Sequence, residues 1–482
     1  MSFLTEFINT SETMTTANTH ILEQVLPALE SAGGNVLFVG GCVRDQLIGA
    51  VSKDIDIEVY DLPCDQLIEV LSQFGKVAKV GVSFSVVKMW AENQEFDFSF
   101  PRRDSKAAPG HAESIVQANT LTPREAAFRR DFTINSMART QKGELLDPFN
   151  GEQDLNDRLL RATSQHFSDD ADRVLRGMQF AARFEMTVEA ETAEICRDLK
   201  AGFGALARER VWAEFKKLCE KGVKPSMGIQ FLIDTGWLEL FPELHAMLDS
   251  PQDPEYHPEG CVLTHTMHCM DAAADIASRE NVTGEDRLVL VLSMLCHDIG
   301  KPATASLNAE GRYTHLAHAE KGVAIAQSFM QSIGANARII ERVKPLVKYH
   351  MVHLSLQGNP VTERFVRRLA VSLGSATINE LNMVVEADMS GRPPIAKGVH
   401  PTSIAIVEMA KKLELDLEAP VPLVQGRHLI EHFNVCGGPA FKPVLDAAFE
   451  AQLNGSFDSV DGGLAYIIEQ RLEVDLLSSQ SA

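Results

Sequence analysis

The chain has 482 residues, of which 45% are hydrophobic and 23% are charged, and its formal net charge is −21. This composition is ordinary for a globular protein of about three domains, and it excludes collagen, a long coiled coil and wholesale disorder. The acidic balance excludes binding of nucleic acid through bulk charge, so any contact with RNA must use a local basic patch.

The spacing of the cysteines and a search for targeting signals bear on the cellular location of the protein. The eight cysteines are scattered without a Cys-x-x-Cys pair, which indicates reduced thiols. The apolar run at 288–296 is far shorter than the roughly 20 residues that span a bilayer, and residues 1–16 do not resemble a secretory signal. We therefore predict a cytoplasmic location and no membrane partner.

The first third of the chain mixes strand and helix signals. Residues 1–20 are polar and predict a flexible tail, and residues 21–31 predict a helix. Alternating β-branched and polar residues then predict strands, with one helix between them over 61–75. These strand signals lie at 36–39, 55–60, 83–90 and 95–98. From Asn156 onward helical periodicity replaces them, with Pro-rich breaks at 248–260 and 391–401.

The segment VGGCVRDQLIG at 39–49 lies where a predicted strand passes into a helix. Gly40 and Gly41 allow backbone N–H groups to approach a phosphate closely, and the start of a helix favours an anion. Arg44 adds a guanidinium that can bind phosphate through two hydrogen bonds. This turn is therefore a candidate binding site for a nucleotide phosphate.

Asp54 and Asp56 follow on a predicted strand, where alternate residues face the same side. Two carboxylates on one face repel each other unless a cation joins them, and hard oxygen ligands suit Mg²⁺. Asp97, between two phenylalanines on another strand, is a candidate third carboxylate that assists deprotonation. Paired metal ions stabilise the attacking and leaving oxygens of a phosphoryl transfer.

The segment RRDFTINSM at 129–137 adds two arginines, of which Arg130 is the candidate triphosphate ligand. Together with DPFNG at 147–151, DDADRVLR at 169–176 and RERVWAE at 208–214, these segments resemble the ordered motifs of class II tRNA nucleotidyltransferases. That family comprises the CCA-adding enzymes and the bacterial poly(A) polymerases. The resemblance implies an α+β fold, with a head containing a small mixed sheet followed by all-α neck, body, HD and tail regions. It also implies Mg²⁺ on Asp54 and Asp56.

The same resemblance assigns nucleotide selection to a neck helix. Asp170 and Arg173 lie three residues apart and would share one helical face. The family's motif implies that they offer an acceptor and donors to the Watson–Crick edge of the incoming CTP or ATP. Arg176, one turn further, would also serve the nucleotide. Gln179 stands where relatives commonly carry another arginine, so this nucleotide contact departs from the family pattern.

Eight of the fifteen histidines lie between residues 257 and 353. Imidazoles bind transition metals, with carboxylates completing the ligand set. The ordered segments resemble those of an HD phosphohydrolase domain, and the resemblance assigns a primary metal set, with a divalent Mn, Ni or Co ion, to His265, His297, Asp298 and Asp388. His318 and His350 match positions that bind a second metal or phosphate.

The sequence thus predicts Mg²⁺-dependent, template-independent addition of CCA to the tRNA 3′ end from CTP and ATP, with no DNA partner. A 2′,3′-cyclic phosphodiesterase or phosphatase activity of the HD domain would accompany it. The alternatives are a poly(A) polymerase, an enzyme adding only CC or only A, and an HD phosphohydrolase with a relict head. The predicted division is a tail over 1–20, a head over 21–150, a neck and body over 151–247, an HD domain over 248–395 and a helical tail over 396–482.

Overall fold

The computed structural model describes residues 16–50, 55–80, 86–92, 94–101, 121–356 and 358–473. The chain divides into two compact units. The first contains residues 1–210 and 227–240, and the second contains residues 211–226 and 241–482. These units are coarser than the five predicted segments, whose boundaries stay a prediction.

The first unit contains a seven-stranded sheet in the order β3-β4-β5-β2-β1-β6-β7. Its strands are β1 (Asn35–Val39), β2 (Asp56–Tyr60), β3 (Lys76–Val80), β4 (Val86–Ala91), β5 (Gln94–Ser99), β6 (Ala138–Thr140) and β7 (Leu145–Leu146). Only the pairing of β2 with β5 is parallel; the other pairs are antiparallel. The sheet is therefore small and mixed, and the predicted α+β class is confirmed.

Helices and short strands complete this unit. Helix α1 (Thr16–Ser31) begins inside the predicted flexible tail, of which residues 1–15 lie outside the described part of the chain. The remaining elements are α2 (Gly41–Leu47), α3 (Cys64–Leu71), α4 (Pro123–Ala127), α5 (Gly151–Asn156), α6 (Asp172–Phe184) and α7 (Ala190–Asp198), with β8 (Leu159–Leu160) and β9 (Thr187–Val188). Helix α8 (Arg208–Lys221) belongs to the second unit from residue 211 onward, and α9 (Pro225–Asp234) belongs to the first unit from residue 227 onward.

In the first unit, the sequence-based prediction makes one helix too long and misses five strands. The helix predicted over 61–75 ends at Leu71, and the chain turns at Gly75 into strand β3. The sequence of β3, KVAKV, is partly exposed and carries two lysines, so its strand signal is weak. Strands β6 to β9 have only two or three residues, which is too short for alternation to be visible.

Helix α6 is anchored in the first unit by one apolar face. Val174, Leu175 and Met178 on this helix are fully buried. Gly177 lies against the rings of Phe132 and Phe231, and a Cβ at this position would collide with both. The close approach fixes the position of α6, whose first turn carries the predicted base-reading residue Arg173.

The second unit is helical, apart from a two-stranded ribbon of β10 (Ser306–Leu307) and β11 (Tyr313–Thr314). Its helices are α10 (Pro242–Leu248), α11 (Val262–Arg279), α12 (Gly284–Cys296), α13 (His318–Ser332), α14 (Ala337–Tyr349), α15 (Val352–Ser355), α16 (Glu363–Leu373), α17 (Ile378–Ser390), α18 (Pro401–Lys412), α19 (Gly426–Phe433), α20 (Phe441–Leu453) and α21 (Val460–Glu469). The apolar run at 288–296 is buried in α12. Among the described residues, none of the helices is long and apolar enough to cross a membrane.

Candidate functional site

The glycine turn of the first unit has the backbone conformation that its sequence requires. Gly40 has a φ of 71°, and its N–H donates to the Met137 carbonyl oxygen at 3.1 Å. A Cβ on Gly40 would lie 2.7 Å from the Arg130 Nη1 atom, whereas Gly41 begins helix α2. Gly40 therefore allows both the left-handed turn and the close approach of Arg130.

Arg44 is buried beside this turn rather than exposed to it. Its guanidinium is only 4% exposed, donates to Asp45 Oδ1 at 2.6 Å and hydrogen-bonds the Asn135 side chain. Its Cζ lies 4.4 Å from the ring centroid of Phe184, in cation–π contact. These contacts hold Arg44 between α2 and α6, where it orients the glycine turn. Its predicted phosphate contact stays a prediction.

Two of the three predicted catalytic carboxylates face each other across neighbouring strands. Asp56 begins β2 and is in register with Asp97 on the parallel strand β5. In-register residues on adjacent strands lie on the same face, about 4.8 Å apart. Lys88, opposite Asp97 on β4, places its Nζ atom 3.2 Å from Asp97 Oδ1. Asp54 lies outside the described residues.

Arg130 of the 129–137 segment is held by a carbonyl oxygen and a carboxylate, and Asp131 is held by an arginine. Arg130 donates to the Asn135 carbonyl oxygen at 3.2 Å and forms a longer ion pair with Glu58 at 3.5 Å. Asp131 is buried and accepts from Arg176 Nε at 2.7 Å. Burial raises the pKa of Asp131, but the charge of Arg176 and the hydrogen bond from Asn135 outweigh it and lower the pKa to about 2.

The predicted base-reading pair is present but each member has other partners. Asp170 accepts from Arg210 Nη2 at 2.7 Å and from the Asp172 backbone N–H at 3.1 Å. Arg173 donates to the backbone carbonyl oxygens of His166 at 2.6 Å and Arg129 at 2.8 Å. The backbone of Asp170 is extended just before α6, so Asp170 and Arg173 do not share the predicted helical face, although the Arg173 backbone N–H donates to the Asp170 carbonyl oxygen at 3.1 Å. Their tertiary contacts fix each side chain separately.

Gln179 is buried on α6, with 1% of its surface exposed. Its Oε1 atom accepts from Arg183 Nη1 at 3.4 Å. Gln179 therefore lies one turn beyond Arg176 and inside the packing of the unit, and its predicted nucleotide contact stays a prediction.

The histidine cluster of the second unit has a repeated local geometry. His297, His318 and His350 each place Nδ1 within 2.7 to 2.8 Å of the carbonyl oxygen three residues upstream. A carbonyl only accepts, so each Nδ1 carries the proton. In the neutral rings, Nε2 then presents its lone pair to the cluster, as metal-bound histidines do.

The Nε2 atoms converge on Asp298. Asp298 Oδ2 lies 3.3 Å from His297 Nε2 and 3.6 Å from His265 Nε2. Asp298 Oδ1 lies 3.3 Å from His318 Nε2 and 3.7 Å from His350 Nε2. Both carboxylate oxygens are buried, and Lys301 Nζ forms an ion pair with Oδ2 at 2.7 Å. A carboxylate in this state, between two pairs of imidazoles, fits a bridging metal ligand.

Asp388 and His265 close the primary set. Asp388, at the end of α17, places Oδ1 3.1 Å from His265 Nε2. The opposite ring nitrogen of His265 lies 2.7 Å from Glu259 Oε1, so a carboxylate orients this ring. The predicted primary set of four residues is thus assembled, and His318 and His350 lie beside it.

Comparisons with known proteins agree with this geometry. Residues 36–161 match the poly A polymerase head domain family, and residues 262–388 match the HD domain family. The multifunctional CCA protein of Methylococcus capsulatus is 31% identical over 417 residues, which cover 84% of this chain and 91% of that protein. The chain belongs to the multifunctional CCA protein family. This membership confirms the prediction of a CCA-adding enzyme. The two domain matches confirm the predicted presence of a nucleotidyltransferase head and an HD domain.

Solved structures of CCA-adding enzymes share the fold. The Bacillus stearothermophilus CCA-adding enzyme in complex with CTP superposes with a TM-score of 0.61 at 18% identity, covering 95% of this chain and 98% of that chain. The Thermotoga maritima CCA-adding enzyme complexed with tRNA has a TM-score of 0.58 at 18% identity, covering 97% and 98%. At this identity the likeness establishes the fold of this multifunctional CCA protein.

Several residues at these sites were not predicted as site residues. Arg210 lies in the quoted motif RERVWAE, and Glu259 and Cys269 flank the histidines of the 257–268 segment. Cys269 Sγ lies 3.4 Å from His265 Nε2. His353 is also buried, with only 4% of its surface exposed. The i,i+4 spacing from His265 to Cys269 was a visible signal, since such residues share a helix face.

We expect Asp131→Asn to destabilise the first unit of this CCA-family protein by about 2 kcal/mol at pH 7, because Arg176 and Asn135 hold the pKa of this carboxyl at about 2 in the folded unit. A depressed carboxyl pKa contributes stability above the unfolded pKa of 3.8 and loses it as the pH falls through about 2. The difference between wild type and variant should therefore vanish between pH 4 and 2. Hydrogen exchange at the amides of residues 132–137 measures it; a difference that persists at pH 2 would contradict this cause.

Proposed function

We propose that the first unit adds cytidine twice and adenosine once to the 3′ end of tRNA, using CTP and ATP with Mg²⁺. The observation that carries this proposal is the alignment of Asp56 with Asp97 on adjacent parallel strands. Two carboxylates on one face of the sheet, on its neighbouring inner strands β2 and β5, are a donor set that fits a hard divalent cation. Asp54 is the second proposed Mg²⁺ ligand, by its spacing from Asp56 in the sequence.

The chemistry of nucleotidyl transfer assigns a role to each side chain. The tRNA 3′-hydroxyl attacks the α-phosphate and pyrophosphate leaves; bound Mg²⁺ would lower the pKa of that hydroxyl and neutralise developing charge. Asp56 and Asp54 would hold the ion, and Asp97 would accept the proton of the hydroxyl. Arg130, with Gly40 and Gly41, would bind the triphosphate, and Arg44 would orient the turn from its buried position.

Asp170 and Arg173 are the proposed protein template for the incoming base. Asp170 supplies acceptor oxygens and Arg173 supplies N–H donors at the start of α6. The ion pair between Arg210 and Asp170 would hold the carboxylate in position. Arg176 is fixed against Asp131 and would support the nucleotide through that pair. Selection of C and A would then depend on hydrogen bonds that U and G cannot reproduce.

We expect Arg173→Ala to reduce discrimination for CTP and ATP over UTP and GTP by about tenfold or more, because hydrogen-bonded recognition gives large discrimination. Relative incorporation of the four nucleotides into tRNA measures the change. Arg158→Ala is the matched control, since this arginine is exposed and pairs with Glu185. An equal fall for all four nucleotides would make Arg173 a structural or phosphate-binding residue.

Full CCA addition is favoured over poly(A) synthesis by the charge of the C-terminal region. Residues 402–482 carry 5 basic and 12 acidic residues, whereas bacterial poly(A) polymerases of the family tend to have a basic tail. The test uses tRNA ending in CC with ATP alone. We expect one added adenosine, and a ladder of added adenosines would favour the poly(A) polymerase instead.

We also propose that the second unit is a phosphohydrolase dependent on a divalent transition metal such as Mn²⁺, Ni²⁺ or Co²⁺. The position of the buried Asp298 carboxylate between four imidazoles supports the proposal of a metal here. When bound, the metal would activate water for attack on phosphorus. His265, His297, Asp298 and Asp388 would hold it, and His318 and His350 would hold a second ion or a substrate phosphate. Lys301, 2.7 Å from Asp298, would balance the carboxylate charge.

The substrates to test for this hydrolysis are 2′,3′-cyclic nucleotides and small phosphomonoesters. The cytoplasmic location of the protein stays a prediction.

A further inference from the structure

A buried carboxylate lies on strand β2 beside the proposed magnesium site. Glu58 follows Asp56 by two residues, so both side chains lie on the same face of the strand, about 7 Å apart along it. The Glu58 side chain is only 10% exposed. Burial of a carboxylate costs free energy unless hydrogen bonds or an opposite charge compensate for it. The partners of Glu58 therefore indicate what this carboxylate does.

Glu58 accepts hydrogen bonds from two side chains of different segments. Its Oε2 atom accepts from the Tyr60 hydroxyl at 2.5 Å and from Arg130 Nη2 at 3.5 Å. Burial and the charge of Glu58 raise the pKa of Tyr60, so its hydroxyl keeps the proton that it donates. Tyr60 thus holds the Glu58 carboxylate in place, and the carboxylate faces the guanidinium of an arginine 72 residues later in the chain.

Arg130 is held through both of its terminal nitrogens. While Nη2 faces Glu58, Nη1 donates to the Asn135 carbonyl oxygen at 3.2 Å, next to the Gly40 turn. These two contacts use one hydrogen on each terminal nitrogen, and a guanidinium carries five N–H donors, so further donors can bind phosphate oxygens. The Arg130 side chain is 24% exposed, compared with 4% for Arg44. Asn135 and Glu58 therefore orient a guanidinium that a nucleotide can still reach.

We propose that Glu58 is a positioning residue for nucleotide addition, which orients Arg130 toward the triphosphate of CTP or ATP. The inference rests on the proposed binding of that triphosphate by Arg130. Removal of Glu58 has two opposite effects on nucleotide affinity. Loss of a negative charge beside a triphosphate strengthens binding, whereas loss of the orientation of Arg130 weakens it. A weaker affinity without Glu58 is therefore the signature of positioning, because the change in charge alone gives the opposite sign.

The test is a double-mutant cycle of Glu58→Ala and Arg130→Ala in the full-length protein, with KM for CTP and kcat measured on tRNA that lacks its CCA end. Glu58→Ala should raise KM about tenfold and leave kcat within about twofold, because it removes binding that the substrate and the transition state share. In the Arg130→Ala background, Glu58→Ala should raise KM no further, because the side chain that it orients is gone. Glu69→Ala, at an exposed carboxylate of helix α3, is the matched control and should keep wild-type values.

Three results would overturn the proposal and leave nucleotide addition itself intact: an unchanged or lowered KM in Glu58→Ala, a fall in kcat without a rise in KM, or the same rise in KM with and without Arg130. A wild-type KM in Arg130→Ala would reject Arg130 as a triphosphate ligand, and the role of Glu58 with it. No addition by the wild type would reject the proposed function of the first unit as well.

If Glu58→Ala does not fold, Tyr60→Phe decides the question. This variant keeps the ring of a buried residue and removes only the hydroxyl that holds Glu58. It should raise KM for CTP about threefold, the worth of one hydrogen bond, and leave KM unchanged in the Arg130→Ala background. A wild-type KM in Tyr60→Phe, or an equal rise in both backgrounds, would contradict the proposal.

Discussion

Asp56→Ala should abolish nucleotide addition while leaving the first unit folded. Metal ions contribute several kcal/mol of charge stabilisation in phosphoryl transfer, and 1.36 kcal/mol corresponds to a tenfold rate. We therefore expect a loss of about a thousandfold or more in incorporation of labelled CTP. Asp56 is exposed at the start of β2, and removal of one of two facing carboxylates relieves repulsion, so stability without metal should hold or rise. Asp54→Ala should behave in the same way.

Asp65→Ala is the matched control, because this carboxylate lies in the same unit with 94% of its side chain exposed and pairs with Lys79. It should retain wild-type incorporation. Thermal unfolding of both variants checks that the loss in Asp56→Ala is chemical. Normal incorporation by Asp56→Ala would refute the proposed magnesium site on strands β2 and β5.

His297→Ala or Asp298→Asn should remove metal-dependent hydrolysis and leave CCA addition unchanged. The expected loss of hydrolysis is about 100-fold or more, since removing a ligand should cost at least as much as removing a residue that orients one. Asp298→Asn is preferred over alanine because it keeps the volume of a buried side chain, although Lys301 then loses its anionic partner. The readouts are hydrolysis of 2′,3′-cyclic nucleotides with Mn²⁺, Ni²⁺ or Co²⁺ and, in parallel, incorporation of CTP into tRNA.

The control for this pair is His268→Ala, since His268 is an exposed histidine on the same helix as His265. It should keep both activities. Absence of hydrolysis by the wild type with all three metals would show that the cluster does not catalyse this reaction. Loss of CTP incorporation in His297→Ala would show that the two sites are not separable.

Local spacing carried much of the information about the head. The alternation of Asp54 and Asp56 and the glycine turn are short-range patterns, so the sequence predicted their chemistry directly. The alignment of Asp56 with Asp97 required the parallel pairing of β2 and β5, which joins residues 41 positions apart. No local pattern encodes such a register, because it depends on which strands become neighbours.

Tertiary partners could not be read from spacing. The i,i+3 placement suggested that Asp170 and Arg173 act as a pair, but Arg210 binds Asp170 from 40 residues away and Arg173 donates to two backbone carbonyls. The burial of Arg44 against Phe184 is likewise a packing result. Charged side chains make several alternative contacts of similar energy, so the fold decides which contact each one makes.

For the histidine cluster, the sequence indicated which residues come together but not the residues that support them. Ordered His and Asp residues indicated the metal set, and the structure brings all of the predicted residues together within the second unit. What the sequence did not indicate was the supporting shell, in which Glu259 orients His265 and Lys301 faces Asp298. These residues have no repeating pattern, because their role comes from the position of a single atom next to a ligand.

The most direct measurement of CCA addition uses purified full-length protein, tRNA lacking its CCA end, Mg²⁺, and labelled CTP and ATP. The two nucleotides are supplied separately and together. We expect two cytidines to be added with CTP alone, and the complete CCA end to be added only when both nucleotides are present. Removal of Mg²⁺ should stop all addition. Incorporation of neither nucleotide would contradict the assignment of the head as an active transferase, and addition of ATP alone to the shortened tRNA would contradict the proposed order of selection.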